Sequence, residues 1–161
     1  MVELGLGYDF IHLAGAAEAD HLHGFDTSVF VNIASWFAVG GEFIAAFGNG
    51  PTRFGSDISE SRYVYVLGPR LSIWTTPKVR VFVQALTGSA HAKLEAEGGF
   101  LRDTATADAF ALSAGAGVDW RFSEHFYWRV IQADYLRMHF TGQEDNWRIS
   151  TGIVFAFGGK R

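Results

Sequence analysis

Apolar residues alternate one by one with small or charged residues along most of this chain. In residues 2–10 the even positions hold Val, Leu, Leu, Tyr and Phe, whereas the odd positions hold Glu, Gly, Gly and Asp. Because successive side chains of a β-strand point to opposite faces, this period of two predicts a strand with one apolar face, not a helix. The same alternation recurs in seven further segments, which are residues 25–33, 37–47, 62–72, 79–88, 110–121, 126–138 and 147–157.

The composition limits the class of protein. With 161 residues, of which 48% are hydrophobic and 16% aromatic, the chain suits one folded domain at residues 1–161 and is too apolar to be disordered. It has no Cys, which excludes disulfides and thiolate metal sites, and its formal net charge of -4 argues against a nucleic-acid partner. No apolar run is long enough for a membrane-spanning helix, and no signal peptide is expected within this sequence.

The connections between the predicted strands alternate in length. Short turns are expected at residues 34–36, 75–78 and 123–125, and long polar or Gly-rich loops at 14–22, 49–60, 89–107 and 141–145. Strands of about ten residues suffice to cross a bilayer at a tilt. This rhythm predicts an all-β fold, an eight-stranded antiparallel up-and-down transmembrane barrel with short periplasmic turns and longer extracellular loops.

The seventh segment breaks the alternation. Arg129 is out of phase with Gln132 and Asp134, so one register cannot place all three on the same face. A β-bulge near Val130 or Ile131 would restore the phase, and we predict one there.

The two faces are expected to meet different surroundings. The apolar face suits lipid, whereas the small and charged face suits the narrow lumen of eight strands. Aromatic residues near the strand ends are expected at the membrane interfaces; they include Trp36, Trp74, Trp120, Trp128, Trp147 and Tyr63. The alternative is a soluble β-protein with an aromatic core, such as a lipocalin-like binder of apolar ligands.

Charged residues on the inward face need partners, because a buried charge is costly unless paired. Acids and arginines are nearly balanced there, and Arg suits forked pairing with carboxylates. The expected ion-pair network comprises Glu42, Arg62, Arg70, Asp119, Arg121, Arg129, Asp134 and Arg148. Within it, we expect Glu42, Asp119 and Asp134 to pair with Arg70, Arg129 and Arg148 across the lumen and to plug it. Glu3, Asp9, Asp26 and Arg80 are also placed on the inward face.

Several stretches together resemble the eight-stranded outer-membrane barrels of the OmpA/OmpX-like type. They are WFAVGGEF at 36–43, LGPRLS at 67–72, VFVQAL at 81–86, GAGVDWR at 115–121, RVIQADY at 129–135 and STGIVFAF at 150–157. The resemblance implies a monomer in the outer membrane of a Gram-negative bacterium, in contact with lipid and lipopolysaccharide. It also implies that Phe155 and Phe157 form the signal read by the barrel-assembly machinery.

The resemblance implies no cofactor, but some barrels of this type are enzymes acting on lipid A, so catalytic groups were sought. Ser89 and His91 lie two apart, yet in the reverse order to the His-x-Ser motif of the deacylase type. Asp20, His21 and His23 have the spacing of metal ligands, although with one acid nearby a solvated loop is the expectation. The sequence therefore predicts a non-enzymatic scaffold whose loops bind an external partner. The alternatives are a narrow pore for ions or small solutes, a lipid A-modifying enzyme and a soluble binder.

Overall fold

The alternating segments form eight β-strands in a computed structural model of the protein. It describes the backbone of residues 1–14, 21–49, 57–98, 101–139 and 143–158, and side chains over slightly shorter ranges. The strands are β1 (Val2–Ala14), β2 (His21–Asn32), β3 (Phe37–Asn49), β4 (Asp57–Trp74), β5 (Val79–Gly98), β6 (Leu101–Arg121), β7 (Phe126–His139) and β8 (Gln143–Phe157). No helix long and apolar enough to cross a membrane occurs in this part of the chain.

Each strand pairs antiparallel with the next, and the last strand pairs with the first. β1 contacts β2, with Val2 opposite Val31, and also β8, with Val2 opposite Phe157. The result is a closed barrel in the order β1 to β8, so the wall itself has no free sheet edge. This confirms the predicted eight-stranded up-and-down barrel.

Short turns connect the strands at one end of the barrel, called here the short-turn end. They occupy residues 33–36, 75–78 and 122–125, as predicted. In the first turn the amide of Ile33 donates to the carbonyl of Phe37 at 3.0 Å. The other two turns repeat this bond, which fixes the register of each hairpin.

The prediction of a long loop at residues 89–107 is wrong. β5 continues to Gly98 and β6 begins at Leu101, so these strands have 20 and 21 residues and pair along their full length. The alternation fades here because a ladder that extends past the apolar band needs no lipid-facing side chains. Strand residues also occupy 57–60 and 143–145 of the other predicted loops. Residues 15–20, 50–56 and 141–142 lie outside the described part of the chain.

The predicted bulge in β7 is confirmed. Val118 lies opposite Ile131, but the next residue of β6, Asp119, lies opposite Arg129, which leaves Val130 as the extra residue. Val130 and Ile131 are both exposed, whereas Arg129 and Gln132 on either side are buried. The extra residue thus returns Arg129 to the inward face.

Every strand carries large apolar side chains on its outward face. Leu6 is 62% exposed, Leu67 65% and Val83 50%, which would be unfavourable on a soluble surface and suits contact with lipid. The inward face instead buries charged and amide groups in the middle of the barrel. The sequence therefore assigned the two faces in the correct sense.

Candidate functional site

The lumen is filled by side chains, and its central part is a hydrogen-bonded ion-pair network. Glu42 on β3 lies at its centre. Its carboxylate accepts from Arg148 Nη2 at 2.8 Å, from Gln84 Nε2 at 3.0 Å and from Gln132 Nε2 at 3.2 Å. Arg70 Nη2 lies 3.4 Å away. These donors come from β4, β5, β7 and β8, so one carboxylate links strands on opposite walls.

Two further acids, Asp119 and Asp134, pair with Arg129 and Arg148. Arg129 Nε donates to Asp119 at 2.9 Å, and Arg148 Nε donates to Asp134 at 3.0 Å. Both acids are fully buried. The structure therefore brings each of the three acids singled out in the sequence beside the arginine expected for it. The prediction that these pairs cross the lumen is wrong, because each acid and its arginine lie on neighbouring strands.

A second bridge lies closer to the short-turn end. Arg80 on β5 donates from Nη2 to Glu3 on β1 at 2.9 Å and to Asp119 on β6 at 2.6 Å. The period of two placed Glu3 and Arg80 on the inward face but could not pair them, because they are 77 residues apart in sequence. The two bridging amides, Gln84 and Gln132, carry no charge and were not identified from the sequence.

Aromatic rings support the arginines from the side. The guanidinium of Arg70 lies 3.5 Å from the Phe30 ring centroid and 4.5 Å from that of Phe82, and Arg129 lies 4.6 Å from Phe82. Such stacking holds a cation without using its hydrogen bonds. Gly117 makes room for Phe82, because a Cβ at this position would collide with the ring.

Arg62 and Arg121 do not join the Glu42 cluster. Both are half-buried, Arg62 towards the long-loop end of β4 and Arg121 at the last position of β6. The guanidinium of Arg121 instead lies 5.3 Å from the Trp74 ring. Alternation gives the face of a residue but not its depth in the barrel.

Trp74 does not face the membrane interface as predicted. It shares the inward face of β4 with Arg70 and packs against Tyr127 of β7, with ring centroids 6.1 Å apart. These two rings lie beside the guanidinium of Arg80, at 5.8 and 5.0 Å. The two rings lie on the short-turn side of the Arg80 ion pairs, and an open cavity of about 1110 Å³ adjoins them there.

The remaining aromatic residues expected at the interfaces point outward. Trp36, Trp120, Trp128 and Trp147 are exposed, and Tyr63 stacks on Phe43 with centroids 6.3 Å apart. Phe155 and Phe157 are also outward, near the end of β8. Their reading by an assembly machinery stays a prediction.

The half of the lumen towards the long loops is apolar, which the sequence did not reveal. Its buried residues form one cluster, including Ile11, Leu22, Ile44, Leu86, Leu136 and Met138. Ile11 follows Asp9 on the inward face of β1. Because it is apolar, its residue type does not distinguish it from an outward, lipid-facing residue.

The charges buried in the described lumen do not balance. Six acids are buried, Glu3, Asp9, Asp26, Glu42, Asp119 and Asp134, but only four arginines, Arg70, Arg80, Arg129 and Arg148. Neither carboxylate oxygen of Asp9 accepts a hydrogen bond, and its nearest described cation, Arg148 Nε, is 3.6 Å away. Asp26 has no cation within ion-pairing distance among the described residues, and its Oδ2 accepts no hydrogen bond, so Asp9 and Asp26 are the least compensated acids in the described lumen.

Other chemistry was sought on the outer surface. His91 Nδ1 lies 2.5 Å from Asp108 Oδ1 on the neighbouring strand, and both side chains are exposed. Among the described contacts, no hydrogen bond joins Ser89 to this pair. No group of three His, Cys, Asp or Glu side chains that could hold a metal ion occurs among the described side chains. Asp20 and the side chain of His21 lie outside them.

Comparisons with known proteins identify the fold. No family model matches the chain, and no curated protein matches it. Among solved structures, Ail, the attachment invasion locus protein of Yersinia pestis, is 18% identical over 96% of this chain and 97% of its own, with a TM-score of 0.70. Neisserial surface protein A is 9% identical over 97% of both chains, with a TM-score of 0.68. OprG from Pseudomonas aeruginosa is 15% identical over 98% of this chain and 96% of its own, with a TM-score of 0.52. The chain therefore has the fold of the eight-stranded outer-membrane barrels.

Proposed function

We propose that the chain is a monomeric integral protein of the outer membrane of a Gram-negative bacterium, a closed scaffold that presents a projecting sheet to an external partner. Its short turns then lie in the periplasm. Membrane insertion is supported by the outward apolar face and by exposed aromatic side chains towards both ends of the strands. The outer-membrane location is suggested by the bacterial outer-membrane proteins that share its fold.

The observation that carries the partner-binding proposal is the unequal length of the strands. β7 pairs with β6 only as far as His139, opposite Phe110. β6 extends nine residues further, at 101–109, where its described pairing is with β5 alone. β4 also pairs with β5 up to Asp57 opposite Glu97. Three strands therefore project beyond the barrel wall at the long-loop end.

A projecting strand with one unpaired edge suits partner binding by strand addition. Its free backbone N–H and C=O groups can pair with an extended segment of another protein, and side chains on alternate positions give specificity. Ail is the attachment invasion locus protein, and its name supports a role at the cell surface for a barrel of similar shape. The fold alone assigns no partner.

The experiment compares adhesion of cells that express the chain or a variant whose β5–β6 hairpin is shortened by replacing residues 94–105 with an Asn-Gly turn. We expect adhesion to an epithelial monolayer to fall to the level of cells without the protein. A matched variant shortened at residues 50–56 controls for the loss of residues elsewhere in the chain, and the shift of unboiled protein on gels verifies that both barrels are folded. Equal adhesion by the shortened-hairpin variant and the full chain would contradict the proposal.

The scaffold function requires a closed lumen, which is supported by the bridges from Arg80 to Glu3 and from Gln132 to Glu42 between opposite walls. The competing function is a narrow cation-selective pore, which the surplus of buried acids favours. Planar-bilayer recordings separate the two. We expect no resolvable conductance steps, and steady steps with cation selectivity would establish the pore.

We also infer that the chain has no catalytic role. Support comes from the described contacts, in which Ser89 is not hydrogen-bonded to the His91–Asp108 pair as an activated nucleophile would be. Mass spectrometry of lipid A from expressing cells tests this inference. A change in acyl chains that disappears in a Ser89→Ala variant would overturn it.

A further inference from the structure

The mouth of the barrel contains an arginine without a carboxylate partner among the described residues. The mouth is defined here as the open cavity at the short-turn end, with Trp74, Arg121 and Tyr127 on its wall. The four fully buried arginines each have a carboxylate within ion-pairing distance, whereas Arg121 has none in the described part of the chain. Its positive charge is therefore available to a ligand.

The position of Arg121 leaves its hydrogen-bonding edge free. The guanidinium lies 5.3 Å from the Trp74 ring centroid, and such a cation–π contact uses the charge and not the N–H groups. Five N–H donors in a planar fork match the two oxygens of a carboxylate. Because Arg121 is only half-buried, these donors can be reached from the mouth.

The mouth also offers an apolar wall. The ring centroids of Trp74 and Tyr127 are 6.1 Å apart, and Ile33 and Pro77 line the same cavity. Its volume of about 1110 Å³ is similar to that of sites that hold small organic ligands. One cation beside an apolar wall fits a molecule that has one anionic group and an apolar body.

The remaining charges decide which anion fits best. Glu124, His125 and Met1 line the cavity as well, and Arg80 already uses its Nη groups on Glu3 and Asp119. Arg121 is thus the arginine on this wall with unused Nη donors, and a dianion such as phosphate would also be repelled by the carboxylate of Glu124. A single carboxylate can pair with the guanidinium of Arg121 and needs no second cation.

We propose that the mouth binds a ligand with one carboxylate, such as the free end of a short peptide, with Arg121 holding the carboxylate and Trp74 and Tyr127 packing against its apolar part. The site faces the side opposite to the projecting sheet and does not depend on a partner there. It adds a small-molecule site at the periplasmic end to the proposed scaffold.

The test is a titration of the folded protein in lipid nanodiscs, which leave both ends accessible, followed by NMR of the indole N–H groups. The probes are acetyl-Ala-Ala, its C-terminal amide and inorganic phosphate. We expect acetyl-Ala-Ala to shift the Trp74 indole signal, identified with a Trp74→Phe variant, in a saturable manner. The neutral amide should bind about tenfold more weakly, because the charge-assisted hydrogen bonds to Arg121 are lost.

Variants separate a site at Arg121 from general attraction. Arg121→Gln should weaken binding of acetyl-Ala-Ala by about tenfold, and Arg121→Lys by less, because a charge remains without the fork. Lys78→Gln removes an exposed cation from the same end and should leave binding unchanged. Equal binding of acid and amide, or unchanged binding to Arg121→Gln, would overturn the proposal. Tighter binding of phosphate than of the carboxylate would also overturn it.

Discussion

The guanidinium of Arg80 and the carboxylate of Glu3 meet across the full width of the barrel, because β5 and β1 lie on opposite walls. The Nη2–Oε2 distance is 2.9 Å, and both side chains are buried. Asp119 shares the same guanidinium. One arginine therefore pairs with two acids, of which Asp119 is also paired with Arg129, and it joins walls that the sheet itself does not bring together.

Replacing Arg80 tests this bridge. Arg80→Ala leaves Glu3 without its main partner and removes one of the two arginines paired with Asp119, so we expect the free energy of unfolding to fall by about 3–5 kcal/mol. Denaturant unfolding in lipid vesicles measures the change. Lys78→Ala in the adjacent exposed turn is the control and should change stability by less than about 0.5 kcal/mol. Similar stabilities for both variants would mean that the bridge contributes nothing.

Asp9 and Asp119 should respond in opposite directions to the same substitution. Asp9 accepts no hydrogen bond in the described structure, so Asp9→Asn removes a poorly compensated charge and should stabilise the barrel by about 1 kcal/mol. Asp119→Asn weakens the pairing of Arg80 and Arg129 and should cost about 3–5 kcal/mol. The same unfolding assay compares them, and a loss with both would show that Asp9 has a partner of equal value.

Gly117 is expected to tolerate no side chain. In Gly117→Ala the new methyl group meets the Phe82 ring, and moving that ring disturbs its stacking on Arg70 and Arg129. Overpacking of this kind costs about 1–3 kcal/mol. Ala116→Ser places an equally small change on the outward face and is the control. The unfolding midpoints of the two variants would differ clearly if Phe82 is held as described.

The outward face of β5 predicts a depth-dependent response to charge. Val83→Arg should lower the free energy of unfolding in lipid by about 2–4 kcal/mol, since Val83 lies in the apolar band. Ile33→Arg, in a turn at the short-turn end, should cost at most about 1 kcal/mol. If Val83→Arg were neutral, the inward and outward faces would have been exchanged.

Much of this fold follows from the sequence because alternation reports directly on the two faces of a strand. It placed Glu42 and Arg148 inward, and the phase break after Arg129 predicted a bulge near Val130 or Ile131, which the structure places at Val130. Alternation works here because one face meets lipid and the other a lumen, so the two sets of residues differ strongly.

The errors arise where that contrast disappears. Beyond the apolar band, residues 89–98 and 101–107 remain in the β5–β6 ladder without any need for lipid-facing side chains. Trp74 was assigned to the membrane interface by residue type, although its parity with Arg70 pointed inward. The apolar inward residues, such as Ile11 and Leu22, have the composition of the outer face. The depth of a side chain in the lumen and its partner across the lumen depend on the shear of the barrel. The shear cannot be obtained from one sequence.

The contact between β1 and β8 sets the order in which the molecule can be completed. Val2 pairs with Phe157, so this contact, called here the seam, joins strands from the two ends of the described chain. Contacts of such separation form late, because the entropy of closing so long a loop must first be overcome. Until the seam forms, the sheet is an open ribbon with two edges, and Glu3 on its first strand has no enclosed space in which to meet Arg80. The lumen therefore forms in a single late step, in which β8 pairs with β1 and closes the barrel.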